Sequence, residues 1–279
     1  MSTSRTELTK PNHLDEVPGW FKPLDQALFG FFLEETADRP GDLLEMGCYL
    51  GKATIVMGRH RGDGETFTVC DLFGDETQGS YSRKATLDFY EKTLSLRAFE
   101  NNYLAFHEQL PEIVQARTDV LADRIAEDSC RFVHVDASHQ YEDVCVDIDT
   151  TRTILRRDGV VSLDDYRNDR TPGVGAAVWE SVFTKGMRPV CVTPNKMYAT
   201  WDDPSPLQKR LREWAGETRD CVVAEDLIDG AVMLRLSSTA VKHGGPSLPK
   251  PRSSALKRIA CDVLPPVVTR AVRRARRPR

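Results

Sequence analysis

Cysteine pairs at metal-site spacing are missing from this 279-residue sequence: none of the seven cysteines stands in a Cys-x-x-Cys pair. Their odd count also leaves no complete disulfide framework, so reduced thiols in a cytoplasmic setting are expected and a structural zinc is not. No apolar run reaches the roughly 20 residues that cross a bilayer, and no basic-then-apolar leader follows Met1. No fixed-period repeat is apparent. Charge of one sign is scarce at the C-terminal end, where residues 237–279 hold eleven Lys/Arg against Asp262 alone. With a net charge of −4 overall, the rest of the chain is strongly acidic. That body opposes a polyanion, so no nucleic acid partner is expected.

What is present is an ordinary globular composition, 40% hydrophobic and 29% charged, long enough for one full core with appendages. Residues 1–39 read as an N-terminal segment whose helix spans about 24–36, with Trp20 and Phe21 placed to roof a pocket. Residues 40–236 alternate between strand and helix patterns. Strands are expected at 42–46, 66–70, 113–116, 131–135, 159–163, 188–193 and 231–236, and helices at 51–60, 84–100, 140–157 and from Pro172. Repeated βα units imply a doubly wound α/β fold with a mostly parallel sheet. Residues 237–279 read as a Pro-containing linker and a basic, flexible arm. Arg270, Arg273, Arg274, Arg276, Arg277 and Arg279 would suit an anionic surface such as membrane lipid, making peripheral membrane contact a reading of the tail.

The stretch from Leu43 to Thr54 organises this domain: an apolar strand, an acid, a glycine turn, then a helix start. It is not a P-loop, because only three residues separate Gly47 from Gly51 and Ala53 stands where a Mg²⁺-binding hydroxyl belongs. It is not Gly-x-Gly-x-x-Gly either. Glu45 would repel a phosphate. A ligand with a cationic centre, an amino group and a ribose fits better, and S-adenosylmethionine is one. Asp71, at the end of the next strand, can accept from both ribose hydroxyls. Glu45, Gly47, Tyr49, Gly51 and Asp71 are therefore the expected cofactor contacts, with Asp119 accepting from an adenine amino group. Residues 74–84, directly after Asp71, are a candidate lid.

Two further strands end in acids, Val135 running into Asp136 and Leu163 into Asp164-Asp165. If these strands are parallel neighbours, the three carboxylates converge and raise one another's pKa. A hard divalent cation relieves that conflict, and oxygen ligands favour Mg²⁺, Mn²⁺ or Ca²⁺ over zinc. His139, three residues past Asp136 at a helix start, is placed to take a proton from a hydroxyl. His134, inside its strand, reads as a core histidine.

Glu45-x-Gly47…Gly51, Asp71, Asp136-Ala137-Ser138-His139-Gln140-Tyr141-Glu142-Asp143-Val144, Leu163-Asp164-Asp165-Tyr166 and Pro172-Gly173-Val174 together resemble the metal-dependent class I S-adenosylmethionine O-methyltransferases. The similarity covers about residues 40–200 and is nearest to branches acting on macrolide sugars, aminocoumarin sugars and bacterial polysaccharides. It implies a Rossmann-like, seven-stranded sheet with an antiparallel last strand. It also implies Mg²⁺ at Asp136, Asp164 and Asp165 and methyl transfer to a hydroxyl of a small-molecule or glycan acceptor. Many members carry an acid two residues after the first metal aspartate; Ser138 stands there, which shifts the base role to His139 or leaves metal activation alone. Two other readings stay open: a scaffold acting through the basic tail, and a hydroxylase-type relative using the same carboxylates. Iron oxygenases favour two histidines with one carboxylate, which this set lacks. A homo-oligomer is compatible with all of them.

Overall fold

The computed structural model describes residues 9–74, 94–218 and 221–238, all within one unit spanning Met1–Thr239. The candidate lid beyond Gly74, the first part of the expected 84–100 helix and the tail from residue 239 lie outside the described residues. The helices are α1 (Pro23–Glu35), α2 (Lys52–Gly58), α3 (Leu96–Tyr103), α4 (Tyr141–Ile154), α5 (Pro172–Thr184) and α6 (Ser205–Glu217). The strands are β1 (Asp42–Met46), β2 (Phe67–Cys70), β3 (Glu112–Val114), β4 (Cys130–Val135), β5 (Leu155–Leu163), β6 (Arg188–Val192), β7 (Met197–Thr200), β8 (Cys221–Ile228) and β9 (Ala231–Ser238). Among the described residues no helix is long and apolar enough to cross a membrane.

The sheet runs β3-β2-β1-β4-β5-β7-β6-β9-β8. Strands β3 to β5 along that order are parallel, and β7 is antiparallel to both β5 and β6. The first seven positions make the expected Rossmann-like sheet. The count of seven is corrected to nine, because a hairpin of β8 and β9 extends the β6 edge, with β9 parallel to β6. Within the first seven, the last strand in the chain, β7 (Met197–Thr200), is the antiparallel one, as expected, though as a four-residue run it is too short to announce itself by alternation. Helix α6 had no sequence expectation either. Helix α4 ends three residues earlier than expected, since Leu155 already pairs with Cys130.

Strand alternation sorts the core into two layers. Leu43, Phe132 and Val160 face one layer with Phe29 and Phe32 of α1. Leu44, Val133 and Val161 face the other with Val144 of α4 and Val178 of α5. Since side chains alternate faces, Glu45, His134 and Ser162 share the α1 face with Leu43, Phe132 and Val160. The ladders align them: Glu45 opposes His134, His134 opposes Ser162, and Ser162 opposes Tyr198. A row of polar side chains therefore crosses the sheet beneath α1. Two residues further along each strand, on the same face, come Gly47, Asp136 and Asp164. The order reverses between β1 and β4, the crevice where open α/β sheets bind ligands.

Candidate active site

The β1 turn is bent by three left-handed residues, Gly47 (φ 78°), Tyr49 (φ 48°) and Gly51 (φ 88°), the last capping α2. Asp71 fastens it. Its Oδ2 accepts from the amides of Cys48 at 2.8 Å and Tyr49 at 2.9 Å, and Oδ1 from Phe73 at 2.8 Å. Burial pushes the Asp71 carboxyl above its usual range against these amides, which pull it down. The residue expected to read a ribose thus also shapes the turn around it. Trp20 stands over this turn, its ring 5.7 Å from that of Tyr49, and is 68% exposed. Asp119 lies in the turn after β3, exposed and 3.8 Å from the Arg117 guanidinium.

Glu45 does not reach into the crevice. It is buried, accepts from the Thr54 hydroxyl, and meets His134 Nδ1 at 3.0 Å. The other side of that imidazole faces Lys196, whose Nζ lies 2.9 Å from His134 Nε2 and 2.6 Å from Asp164 Oδ2. Lys196 comes from the turn between β6 and β7, where Thr193 Oγ1 accepts from the Lys196 amide at 2.9 Å. Its ammonium is buried 5.7 Å from the ring centroids of both Phe21 and Phe29. Burial alone would depress Lys196, but Asp164, Asp136 and Asp25 hold it above its ordinary value. His134 is pushed down, by burial and then by Lys196.

Of the three expected metal aspartates, Asp136 and Asp164 meet. Their ligand oxygens and a nitrogen of His134 all lie within 4.8 Å of one another. Burial and the neighbouring Asp164 push Asp136 well above the carboxylate range. Burial works the same way on Asp164, but Lys196 outweighs it and holds that carboxyl low. Asp165 is not in this tight cluster. It turns away in a left-handed conformation (φ 56°), accepts from the Asn168 side chain at 3.1 Å, and stands 3.5 Å from His139 Nε2. Its charge still acts on Asp136. Ser138 donates to Asp143 Oδ2 at 2.7 Å and so braces the start of α4. His139 remains half-exposed beside Asp165.

A pair of half-buried facing carboxylates with one carrying a raised pKa needs a proton or a cation between them. The oxygen donors suit a hard divalent ion. The site residues that sequence reading missed are Lys196, Thr54 and Asp25, with His134 seen only as core. His134 and Asp136 do carry a signal, since they stand two apart, one on β4 and one just past its end. Lys196 carries none, because it arrives from a turn sixty residues away in the chain.

Residues 44–166 match the family described as "Methyltransferase domain". No curated protein matches the sequence. Among solved structures, the O-methyltransferase NovP is 18% identical with a TM-score of 0.48, the match covering 64% of this chain and 81% of that one. CalS11, a TDP-rhamnose 3′-O-methyltransferase of calicheamicin biosynthesis, is 16% identical (TM-score 0.44; 66% and 82% covered). A protein from Corynebacterium glutamicum is 16% identical (TM-score 0.47; 68% and 85% covered). Through residues 44–166, somewhat under half of its length, the chain is similar to a methyltransferase domain.

Proposed function

We propose that this enzyme is a divalent-cation-dependent O-methyltransferase acting on a hydroxyl of a sugar or a glycosylated acceptor. The observation that carries the reading is the meeting of Asp136 and Asp164 beside the β1 turn, with His139 and Asp165 at its open side. S-adenosylmethionine supplies the methyl group. Mg²⁺ would be held by Asp136 and Asp164, with the Asp165 charge close by, and would lower the pKa of a nearby hydroxyl. The chain's own residues do the rest. Asp71 and the amides around Gly47 shape the cofactor turn, with Glu45 bracing it from below, and the roof of Trp20 over Tyr49 limits access of water. His139 accepts the proton lost by the acceptor, and the Asp165 carboxylate beside it stabilises the imidazolium. Ser138 cannot ionise and takes no part in that transfer.

A hydroxyl-rich acceptor is favoured by a solvent-open cavity of about 380 Å³ next to Asp165. Its lining among the described residues is Asp165, Arg167, Asn168, Asp169, Pro194 and Asn195, none of them an aromatic that could stack on a phenolic ring. The test is methyl transfer from labelled S-adenosylmethionine to a panel of sugars, glycosides and catechols, with and without EDTA. Turnover on sugars that EDTA abolishes and Mg²⁺ restores is expected. His139→Ala should lower turnover about 10²–10⁴-fold while calorimetry still shows cofactor binding. Full rates in EDTA, or in His139→Ala, would overturn the cation or the base assignment respectively. The same reading keeps the protein at the cytoplasmic side, with the basic tail as a contact for anionic lipid.

A further inference from the structure

The carboxylate cluster has a second possible donor set that the enzyme does not offer freely. His134, Asp136 and Asp164 present one nitrogen and two oxygens close enough to hold a metal. An imidazole with carboxylates suits zinc, cobalt or nickel, whereas carboxylates alone suit magnesium and manganese. The hydrogen bonds decide between them. His134 Nδ1 faces the Glu45 carboxylate at 3.0 Å, an acceptor, so Nδ1 carries the ring proton. His134 Nε2 faces the Lys196 ammonium at 2.9 Å, a donor without lone pairs, so Nε2 spends its lone pair there. The same ammonium is tied to Asp164 at 2.6 Å and is packed between Phe21 and Phe29. It cannot swing to solvent without opening the α1 layer.

We propose that Lys196 sets the metal selectivity of the site: by occupying His134 Nε2 it withdraws the only nitrogen donor of the cluster and leaves an oxygen-only set for a hard cation. Lys196 is buried against His134 and Asp164 and acts through them as a positioning residue. The row alignment of Glu45, His134 and Ser162 makes the arrangement rigid, because all are strand residues on paired ladders. The inference rests on the divalent-cation reading above.

The experiment is calorimetric titration of the full-length protein with Mg²⁺, Zn²⁺ and Co²⁺, comparing wild type with Lys196→Met and Lys196→Gln. The ratio of Zn²⁺ to Mg²⁺ affinity should rise by about tenfold or more in both variants, the scale of changes beside a metal ligand. Bound Co²⁺ should gain an absorption signature of nitrogen ligation. The double variant Lys196→Met/His134→Gln should lose both gains. An unchanged Zn²⁺ to Mg²⁺ ratio overturns the inference while Mg²⁺ binding by wild type still supports the cation reading. Wild type that binds no divalent ion sinks the cation reading; Zn²⁺ bound only by the variants would then still support the role of Lys196, and none bound by either would end it. Should the variants fail to fold, ¹⁵N NMR of wild-type histidines decides: His134 must show Nδ1–H and an Nε2 resonance unmoved by Zn²⁺. Coordination of Zn²⁺ by Nε2 in wild type overturns the proposal.

Discussion

A side chain on Gly47 would have to begin 2.2 Å from the carbonyl oxygen of Asp136. The turn that follows β1 and the first residue after β4 are thus in direct backbone contact, and this contact joins the cofactor half of the site to the carboxylate half.

Gly47→Ala should therefore be severe. The left-handed φ of 78° costs about 1–2 kcal/mol for a residue with a Cβ, and crowding against backbone adds about 1–3 kcal/mol. Gly51→Ala has the same backbone cost at φ 88°, but its tight contact is with the Phe99 ring at 3.1 Å, a side chain that can shift. Urea denaturation should rank Gly47→Ala below Gly51→Ala, and calorimetry with S-adenosylhomocysteine should show lost binding in the first. Equal behaviour of the two would contradict the contact.

Asp71 makes a separable prediction. If it only held a ribose, Asp71→Ala would leave the ligand-free protein unchanged. Because it accepts from three amides, its loss should lower ligand-free stability by about 1–3 kcal/mol as well as cofactor affinity. Thermal melts without cofactor check this, and an unmoved Tm would confine Asp71 to ligand contact.

Arg131 is fully buried in β4, and its guanidinium pairs with both Glu65 oxygens, at 2.7 and 2.9 Å, and with the carbonyls of Leu33 and His60. It ties α1, the end of α2 and the approach to β2 together. Glu65→Gln or Arg131→Met should each cost about 3–5 kcal/mol, since either leaves a buried charge unpaired. The double replacement should cost less than the two single costs combined, measured as a double-mutant cycle.

Asp147, buried in α4, has no hydrogen-bond donor in full geometry for either oxygen among the described residues. Burial raises its pKa from 3.8 to about 6. The folded state then holds a proton that the unfolded state releases, so stability is lost as pH rises from about 4 to about 6. The penalty at neutral pH is about 3 kcal/mol. Asp147→Asn should raise the Tm at pH 7.5 and change it little at pH 4. A Tm gain that does not depend on pH would contradict this origin.

Much of the site was legible in the chain itself. Glu45-x-Gly47 and the acids at the ends of β4 and β5 stand out because a run of β-branched and apolar residues ends abruptly in a carboxylate. Alternation places them at strand tips, and parallel pairing then brings Asp136 and Asp164 together. Asp165 was expected in the same cluster; its left-handed backbone turns it to Asn168 and His139 instead, a conformation its residue type does not announce.

By itself the sequence determined which strands end in acids, where glycine lets the chain turn, and that the fold alternates strand with helix, because these follow from local sterics and side-chain period. The tertiary structure alone decided what neutralises those acids. Lys196 reaches Asp164 and His134 beneath α1 only through the ladder register and the antiparallel return of β7, and pairing across a sheet leaves no trace in the residues between.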